Sequence, residues 1–367
     1  MIPAAELDGR TARLRDALAR EGLDGLLAFA PAWRRENVRY LTGAAVHAPH
    51  AFAYLPGAGA PAAFGAGDGG AIEDARPYAL AEPGELLARL SEDLGPGDAL
   101  GIAHAELLPY DAWVALEAGL PGVRLVFATK LMDRARLVKS AWELEQIRHA
   151  AAICDRGWQA FLDALRPGVA EYEIVAELEA ALKAEGAEDN FMIIASGGGE
   201  VRGMTPPSAR RLQPGDMVRT ELTPQWEGYW AQICRSAVLG EAAPGQRDSW
   251  ALFEEAVQGG LAAVRPGATA HDVAKAENDV FRAHGYGDYC TSEYTRVRGH
   301  GHGLHLDEFP VIEGADTVLE PGTVLIVHPN TYTPLAGYHV LGDPVVVTAD
   351  GHEPLLATGR GLAEVGA

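Results

Sequence analysis

The densest concentration of reactive side chains in the chain is the string Gly299-His300-Gly301-His302-Gly303-Leu304-His305, followed closely by Asp307 and Glu308. Histidine-rich tracts hold metals or move protons near neutral pH. If the string runs as a strand, side chains alternate, so His300 and His302 share one face and His305 takes the other. A further candidate is His328, in Val327-His328-Pro329-Asn330, and another is Glu221, in Arg219-Thr220-Glu221-Leu222. A carboxylate beside an imidazole orients it and raises its basicity, which allows proton transfer without a metal. The competing reading of His328 is a buried, hydrogen-bonded histidine, and that of Glu308 a solvated loop charge; a pocket role is the reading favoured for both. Trp226, Tyr229 and Trp230 suit either the wall of an apolar pocket or a core. Cys154, Cys234 and Cys290 are too scattered for a disulfide framework or a CxxC knuckle, so a reducing, cytoplasmic setting is expected.

These residues must be carried by a scaffold, and the sequence punctuates one. A helical pattern over 14–18, extending toward 21, precedes the short apolar run Leu26-Leu27-Ala28-Phe29, which reads as a buried strand. Strand candidates at 51–54 and 99–102 alternate with helical stretches at 86–94 and 112–120, the pattern of an α/β layer structure. Residues 57–70 are rich in Gly, Ala and Pro and read as a flexible loop. A second unit starts near Met132. Ser140 with Glu143 has the spacing of a capping box, and the helix that follows stops at Pro167-Gly168.

This second unit repeats itself. Leu165-Arg166-Pro167-Gly168 recurs as Val264-Arg265-Pro266-Gly267, and each is followed by a helical stretch ending at a glycine, Gly186 or Gly285. Leu212-Gln213-Pro214-Gly215 recurs as Leu319-Glu320-Pro321-Gly322, and each launches a strand. Counted from those glycines, Glu221 and His328 fall at the same place. The pattern predicts two related α/β halves about a pseudo-twofold axis, with Glu221 and His328 facing each other between them.

Composition removes several classes of function. The 367-residue chain carries a formal net charge of -21, the wrong sign for a nucleic-acid binder, which must neutralise phosphates. No apolar run reaches the roughly 18 residues of a membrane span, and the start lacks the basic and apolar regions of a secretory signal.

Taken in order, the landmarks resemble the creatinase / aminopeptidase P / prolidase ("pita-bread") family over nearly the whole chain. Leu23-Asp24-Gly25-Leu26-Leu27 and Asn37-Val38-Arg39-Tyr40-Leu41-Thr42-Gly43 are similar to the family's opening. Leu137-Val138-Lys139-Ser140 with Glu143-Leu144-Glu145 resembles its domain junction, and Arg166-Pro167-Gly168 with Glu171 its next turn. Gly299-His300-Gly301-His302-Gly303-Leu304, with Glu308 and Pro310, is similar to its "GHGiGL..HE.P" segment. The resemblance implies a creatinase-type α/β domain at 1–132, then a pita-bread domain at 133–367, an α/β plus α+β architecture. It also implies a homodimer, with the N-terminal domain of one subunit near the other's pocket.

The family's peptidases hold two divalent ions with two aspartates, one histidine and two glutamates, because carboxylates suit and bridge hard cations. Such an ion pair makes hydroxide at neutral pH. Carried over by position, the first aspartate falls on Glu221, the second on Gln232, and the histidine on His300. The first glutamate falls on His328, and the second on Leu341 or Gly342, with Asp343 the nearest carboxylate. Met204 stands where the family has its proton-handling histidine, and Asp307 where it has the histidine of the "HE.P" step. Arg235, which matches the family's arginine after the second aspartate, is expected to brace its strand. The resemblance with these departures implies a site without a dinuclear centre and with no required cofactor. An alternative is one weakly held divalent ion at Glu221, His300 and His328.

The expected function is a metal-independent C–N hydrolase or related lyase of the creatinase type, acting on a small molecule or short peptide. Glu221, His300, Glu308 and His328 are its candidate catalytic residues, and Met204, Gln232 and Asp307 its candidate substrate contacts. Creatinase itself is not expected, because its catalytic histidine corresponds to Met204. The competing expectations are a non-catalytic peptide- or ligand-binding relative, a mononuclear metal hydrolase, and an Xaa-Pro dipeptidase.

Overall fold

A computed structural model describes residues 2–67, 70–80 and 82–366. The chain divides into two compact units, Met1–Leu137 and Val138–Ala367. The boundary expected after residue 132 falls inside the helix Thr129–Leu137, which belongs to the first unit.

The first unit is a six-stranded sheet with helices packed on it. Its central strand, Gly25–Pro31, is buried along its whole length, pairing antiparallel with His50–Pro56 and parallel with Ala99–Ala103. Burial on both faces explains the unbroken apolar run there. The first helix starts earlier than expected, at Ala4, because Leu7, Leu14 and Leu18 form one buried stripe along it. The strand Ala62–Phe64 lies within 57–70, so the loop expectation for that stretch is corrected in its middle. There Ala62, Ala63 and Phe64 pair with Tyr54, Ala53 and Phe52. Asp68 and Gly69, also covered by that expectation, lie outside the described residues.

The second unit is built twice over. Helices Ala141–Ala164 and Glu171–Ala184 precede strands Asp189–Gly197, Met217–Trp226 and Ile233–Leu239. Helices Pro244–Ala263 and Ala270–Ala283 precede strands Gly299–Gly301, Val324–Val327 and Asp343–Val347. In each half the middle strand of the three lies between the other two. The turn glycines match in conformation as well as in spacing: φ is +81° at both Gly168 and Gly267, +91° at Gly215 and +93° at Gly322. This is left-handed backbone that glycine adopts without a Cβ clash. The Ser140–Glu143 capping box forms as expected, with Glu143 N donating to Ser140 Oγ at 3.1 Å and Ser140 N to Glu143 Oε2 at 2.9 Å.

Alternation along the strands separates core from site. Val218 and Leu222 point into the helix-side core with Cys154, Phe161, Ile174 and Leu178, so Glu221 points the opposite way. In the other half, Leu341 joins Leu252, Phe253 and Phe281 in the second core. Burying a large apolar side chain contributes roughly 1.5–3 kcal/mol, so these clusters hold the sheets in register.

Candidate active site

Glu221 and His328 line one cavity of about 370 Å³, as the repeat predicts. His300, Met204, Asn330 and Tyr338 open onto the same space, together with Phe191, Ile193 and the segment Thr295-Arg296-Val297.

Glu221 is partly buried on Met217–Trp226, paired across the sheet with Ile193 and Cys234. Asn330 Nδ2 donates to its Oε1 at 2.7 Å. Burial pushes its carboxyl up to about 7, against the opposing pull of the Asn330 hydrogen bond. Desolvation disfavours the charged form, so near neutrality this group both holds and releases a proton.

His300 sits in the middle of Gly299–Gly301, opposite Ile326. Its Nδ1 faces the Gly301 carbonyl at 3.3 Å and Asp307 Oδ1 at 3.6 Å. Burial lowers its pKa, with Asp307 opposing the shift. His328 follows Val324–Val327, and its ring meets that of His300 at 5.2 Å between centroids and 69° between planes. Burial, then the neighbouring His300, puts His328 well below the usual histidine range, and its Nδ1 has no hydrogen-bond partner. Both rings are therefore neutral at pH 7.

Asp307 accepts from Arg296 Nη2 at 2.8 Å. Burial acts to raise its carboxyl, but His300 and Arg296 outweigh that and hold it below the ordinary range. Met204 lies on the cavity wall next to Thr205, which bridges to Ile194. The same loop is anchored by Glu171, whose Oε2 accepts from Ser208 N at 3.0 Å and Ser208 Oγ at 2.6 Å.

Other candidates stand apart from this cavity. Glu308 is ion-paired with Lys139 at 2.5 Å, both side chains almost wholly buried, and its Oε1 has no hydrogen-bond partner. Gln232 is buried and donates to Cys234 Sγ at 3.2 Å. His302 lies just past the end of the strand. Its ring meets His300 edge-to-face at 4.8 Å, while Nδ1 turns to the Leu306 carbonyl at 3.0 Å. The strand alternation thus brings His300 and His302 together, but of the two His300 lines the cavity. Trp226 and Tyr229 are core residues: Trp226 packs with Ile153, Leu182 and Ala187, and Tyr229 donates to Glu143 at 2.9 Å.

The two residues expected at the last ligand position have different surroundings. Leu341 faces the second core, while a Cβ on Gly342 would fall 2.4 Å from His328 Cβ. Asp343 is engaged elsewhere, accepting from Arg235 Nη2 at 2.5 Å and Arg360 Nη1 at 2.6 Å. Arg235 is fully buried and also donates to the Gly342 carbonyl at 2.7 Å, a brace between strands as expected. Among the described residues, no group of three or more His, Cys, Asp or Glu side chains is placed to hold a metal ion.

Three residues that line the cavity, Arg296, Asn330 and Tyr338, were not among the candidates drawn from the sequence. Asn330 closes the Val327-His328-Pro329-Asn330 turn and could have been found from its neighbour His328. Tyr338 is brought in by the hairpin Thr331–Thr333 and Gly337–His339 and carries no local signal. No described helix is long and apolar enough to cross a membrane.

Comparison with known proteins agrees with this architecture. The description "Metallopeptidase family M24" matches residues 145–349, and "Creatinase/Prolidase N-terminal domain" matches residues 10–138. An uncharacterised peptidase, YqhT, of Bacillus subtilis (strain 168) is 28% identical over 94% of this chain and 96% of its own length. An Xaa-Pro dipeptidase of Pyrococcus furiosus is 32% identical over 62% of this chain and 65% of its own length. The crystal structure of dipeptidase PepE from Mycobacterium ulcerans superposes with a TM-score of 0.84 at 27% identity, covering 100% of both chains. With its creatinase/prolidase-type N-terminal domain and its twofold-repeated second unit, the chain belongs to metallopeptidase family M24.

Proposed function

We propose that this protein is a family member that works without a dinuclear metal centre and cleaves a C–N bond in a small substrate by acid–base catalysis. The observation that carries this reading is the side chains now at the five ligand positions. Gln232 is neutral and turned to Cys234, and Gly342 has neither a side chain nor room for one. His328 replaces a carboxylate, and Glu221 is bonded to Asn330. Two dications need several carboxylates to neutralise and bridge them, and this set offers one. The donor set does not fit a pair of divalent ions.

The groups that line the cavity can do the work alone. His300, held by Asp307, takes a proton from water as the oxygen bonds to the substrate carbon. Glu221, in its protonated form, gives its proton to the departing nitrogen as the C–N bond breaks. Positioned proton transfer of this kind contributes about 10²–10⁴-fold each. Glu308, paired with Lys139 and packed against Gly303, is better read as a positioning residue.

A second reading, an Xaa-Pro dipeptidase, is supported by the names of relatives such as the Pyrococcus furiosus protein and by the retention of His300. Turnover of a panel of small amides, amidines and Xaa-Pro dipeptides, with and without EDTA, separates the two. EDTA-resistant turnover that Glu221→Gln and His300→Ala each reduce by about 10²-fold or more supports the first reading. EDTA-sensitive dipeptide cleavage supports the second, and saturable binding without turnover supports a ligand-binding relative. The homodimer implied by the family resemblance is part of the proposal, and a monomer by light scattering at micromolar concentration removes it.

A further inference from the structure

A second cavity, of about 270 Å³, shares Thr295, Arg296 and Val297 with the one that holds Glu221. Its remaining wall comes from Asn278 and Arg282 on the helix Ala270–Ala283, from Cys290 and Ser292 at the turn Gly287–Cys290, and from Arg298, Ile312 and Glu313. In a chain of net charge -21, this space gathers three arginines, Arg282, Arg296 and Arg298, against one lining carboxylate, Glu313.

The arginines differ in what they already hold. Arg282 is bonded to Asp279 at 3.0 Å and Glu313 at 2.6 Å, and Arg296 to Asp307 at 2.8 Å. Arg298 is 2% exposed. Its Nε donates to Asn278 Oδ1 at 2.6 Å and its Nη1 to the Pro329 carbonyl at 2.9 Å. Its Nη2 has no hydrogen-bond partner. The Cys290 thiol lies within hydrogen-bonding reach of the guanidinium, but a thiol is only a weak acceptor. Glu277 acts on it through space, but neither carboxyl oxygen of Glu277 makes a hydrogen bond, and burial drives that carboxyl well above its ordinary range.

A buried guanidinium N–H left unmet is costly, and the planar fork is shaped for two oxygens of an oxyanion. Ser292, exposed at the lip of the cavity, supplies a hydroxyl that donates to an incoming oxygen.

We propose that this second cavity is a binding site for one small oxyanion, a carboxylate or a phosphate, received by Nη2 of Arg298 with Arg282, Arg296 and Ser292 around it. Because 295–297 walls both cavities, an anion here contacts the segment that presents Arg296 to Glu221 and His300. The proposal concerns binding and stands whether or not the first cavity is catalytic.

Calorimetric titration of the full chain with sodium phosphate and with sodium succinate, at ionic strength held with chloride, tests it. The expected result is saturable binding of at least one of the two at one per chain. Ser292→Glu, which places a carboxylate at the lip and removes no brace, weakens it tenfold or more. Arg298→Lys, which keeps the charge and loses the fork, weakens it as well, and Glu221→Gln leaves it unchanged. If Arg298→Lys fails to fold, Ser292→Glu decides. Absence of saturable binding to either anion overturns the proposal. So does unchanged affinity in Ser292→Glu, and so does loss of binding in Glu221→Gln, which would place the anion in the first cavity.

Discussion

Gly342 lies directly against His328: a Cβ built on it would fall 2.4 Å from His328 Cβ and 2.7 Å from the Val327 carbonyl oxygen. The glycine and the histidine therefore form one packing unit in which a longer residue at 342 has no place. Forcing extra atoms into a well-packed core costs about 1–3 kcal/mol. Gly342→Ala is expected to lose stability in that range by urea denaturation. A wild-type midpoint would show that His328 yields freely and that the position is not closed to a carboxylate.

Lys139 and Glu308 form a buried ion pair from positions far apart in sequence. Removing one partner of such a pair strands the other charge, at roughly 3–5 kcal/mol. Lys139→Met is expected to destabilise the protein by about that much in chemical denaturation, and the double change Lys139→Met with Glu308→Leu to recover much of the loss. A single change costing under about 1 kcal/mol would place the pair among solvent-screened ones.

Glu221 sets a pH dependence of stability. Its folded pKa of about 7 lies above its ordinary value of 4.5. Between those values the folded chain binds more protons at this site than the unfolded chain, so the group's contribution to stability falls as pH rises from 4.5 through 7. The Glu221→Gln variant, which has no charge to bury, is expected to lose less stability over that interval than wild type. Parallel pH profiles of the two proteins in urea denaturation would show that Glu221 is not held above its ordinary pKa.

The sequence made some of this legible and hid the rest for physical reasons. The repeat could be read because Pro-Gly turns demand left-handed glycines, and Gly168 and Gly267 adopt the same φ. The Ser140–Glu143 cap could be read because it is local. The strand Ala62–Phe64 was hidden by a composition that suits loops, since its partner, His50–Pro56, decides its state. Glu308 looked like a site residue because nothing near it in sequence announces Lys139 as its partner. Arg296 reaches the cavity from a loop and Tyr338 from a hairpin strand, and such convergence leaves no periodic trace. Leu341 and Gly342, adjacent in the short link between two strands, are told apart only by their surroundings, Leu341 in a core and Gly342 against His328.

The central claim is that these side chains do not assemble two metal ions. Metal affinity follows the number and charge of the ligands, and the five positions here present Glu221, Gln232, His300, His328 and Gly342. Two imidazoles could still favour a single ion of the zinc, nickel or copper type over manganese. The direct measurement is elemental analysis of the purified chain after incubation with manganese, cobalt and zinc and removal of excess. The account predicts at most one weakly held zinc-class ion per chain. It also predicts that Gln232→Asp with His328→Glu will not create a pair, because Gly342 still supplies no carboxylate. Close to two metals per chain in the unmodified protein, with Xaa-Pro dipeptide cleavage that EDTA abolishes, would contradict it.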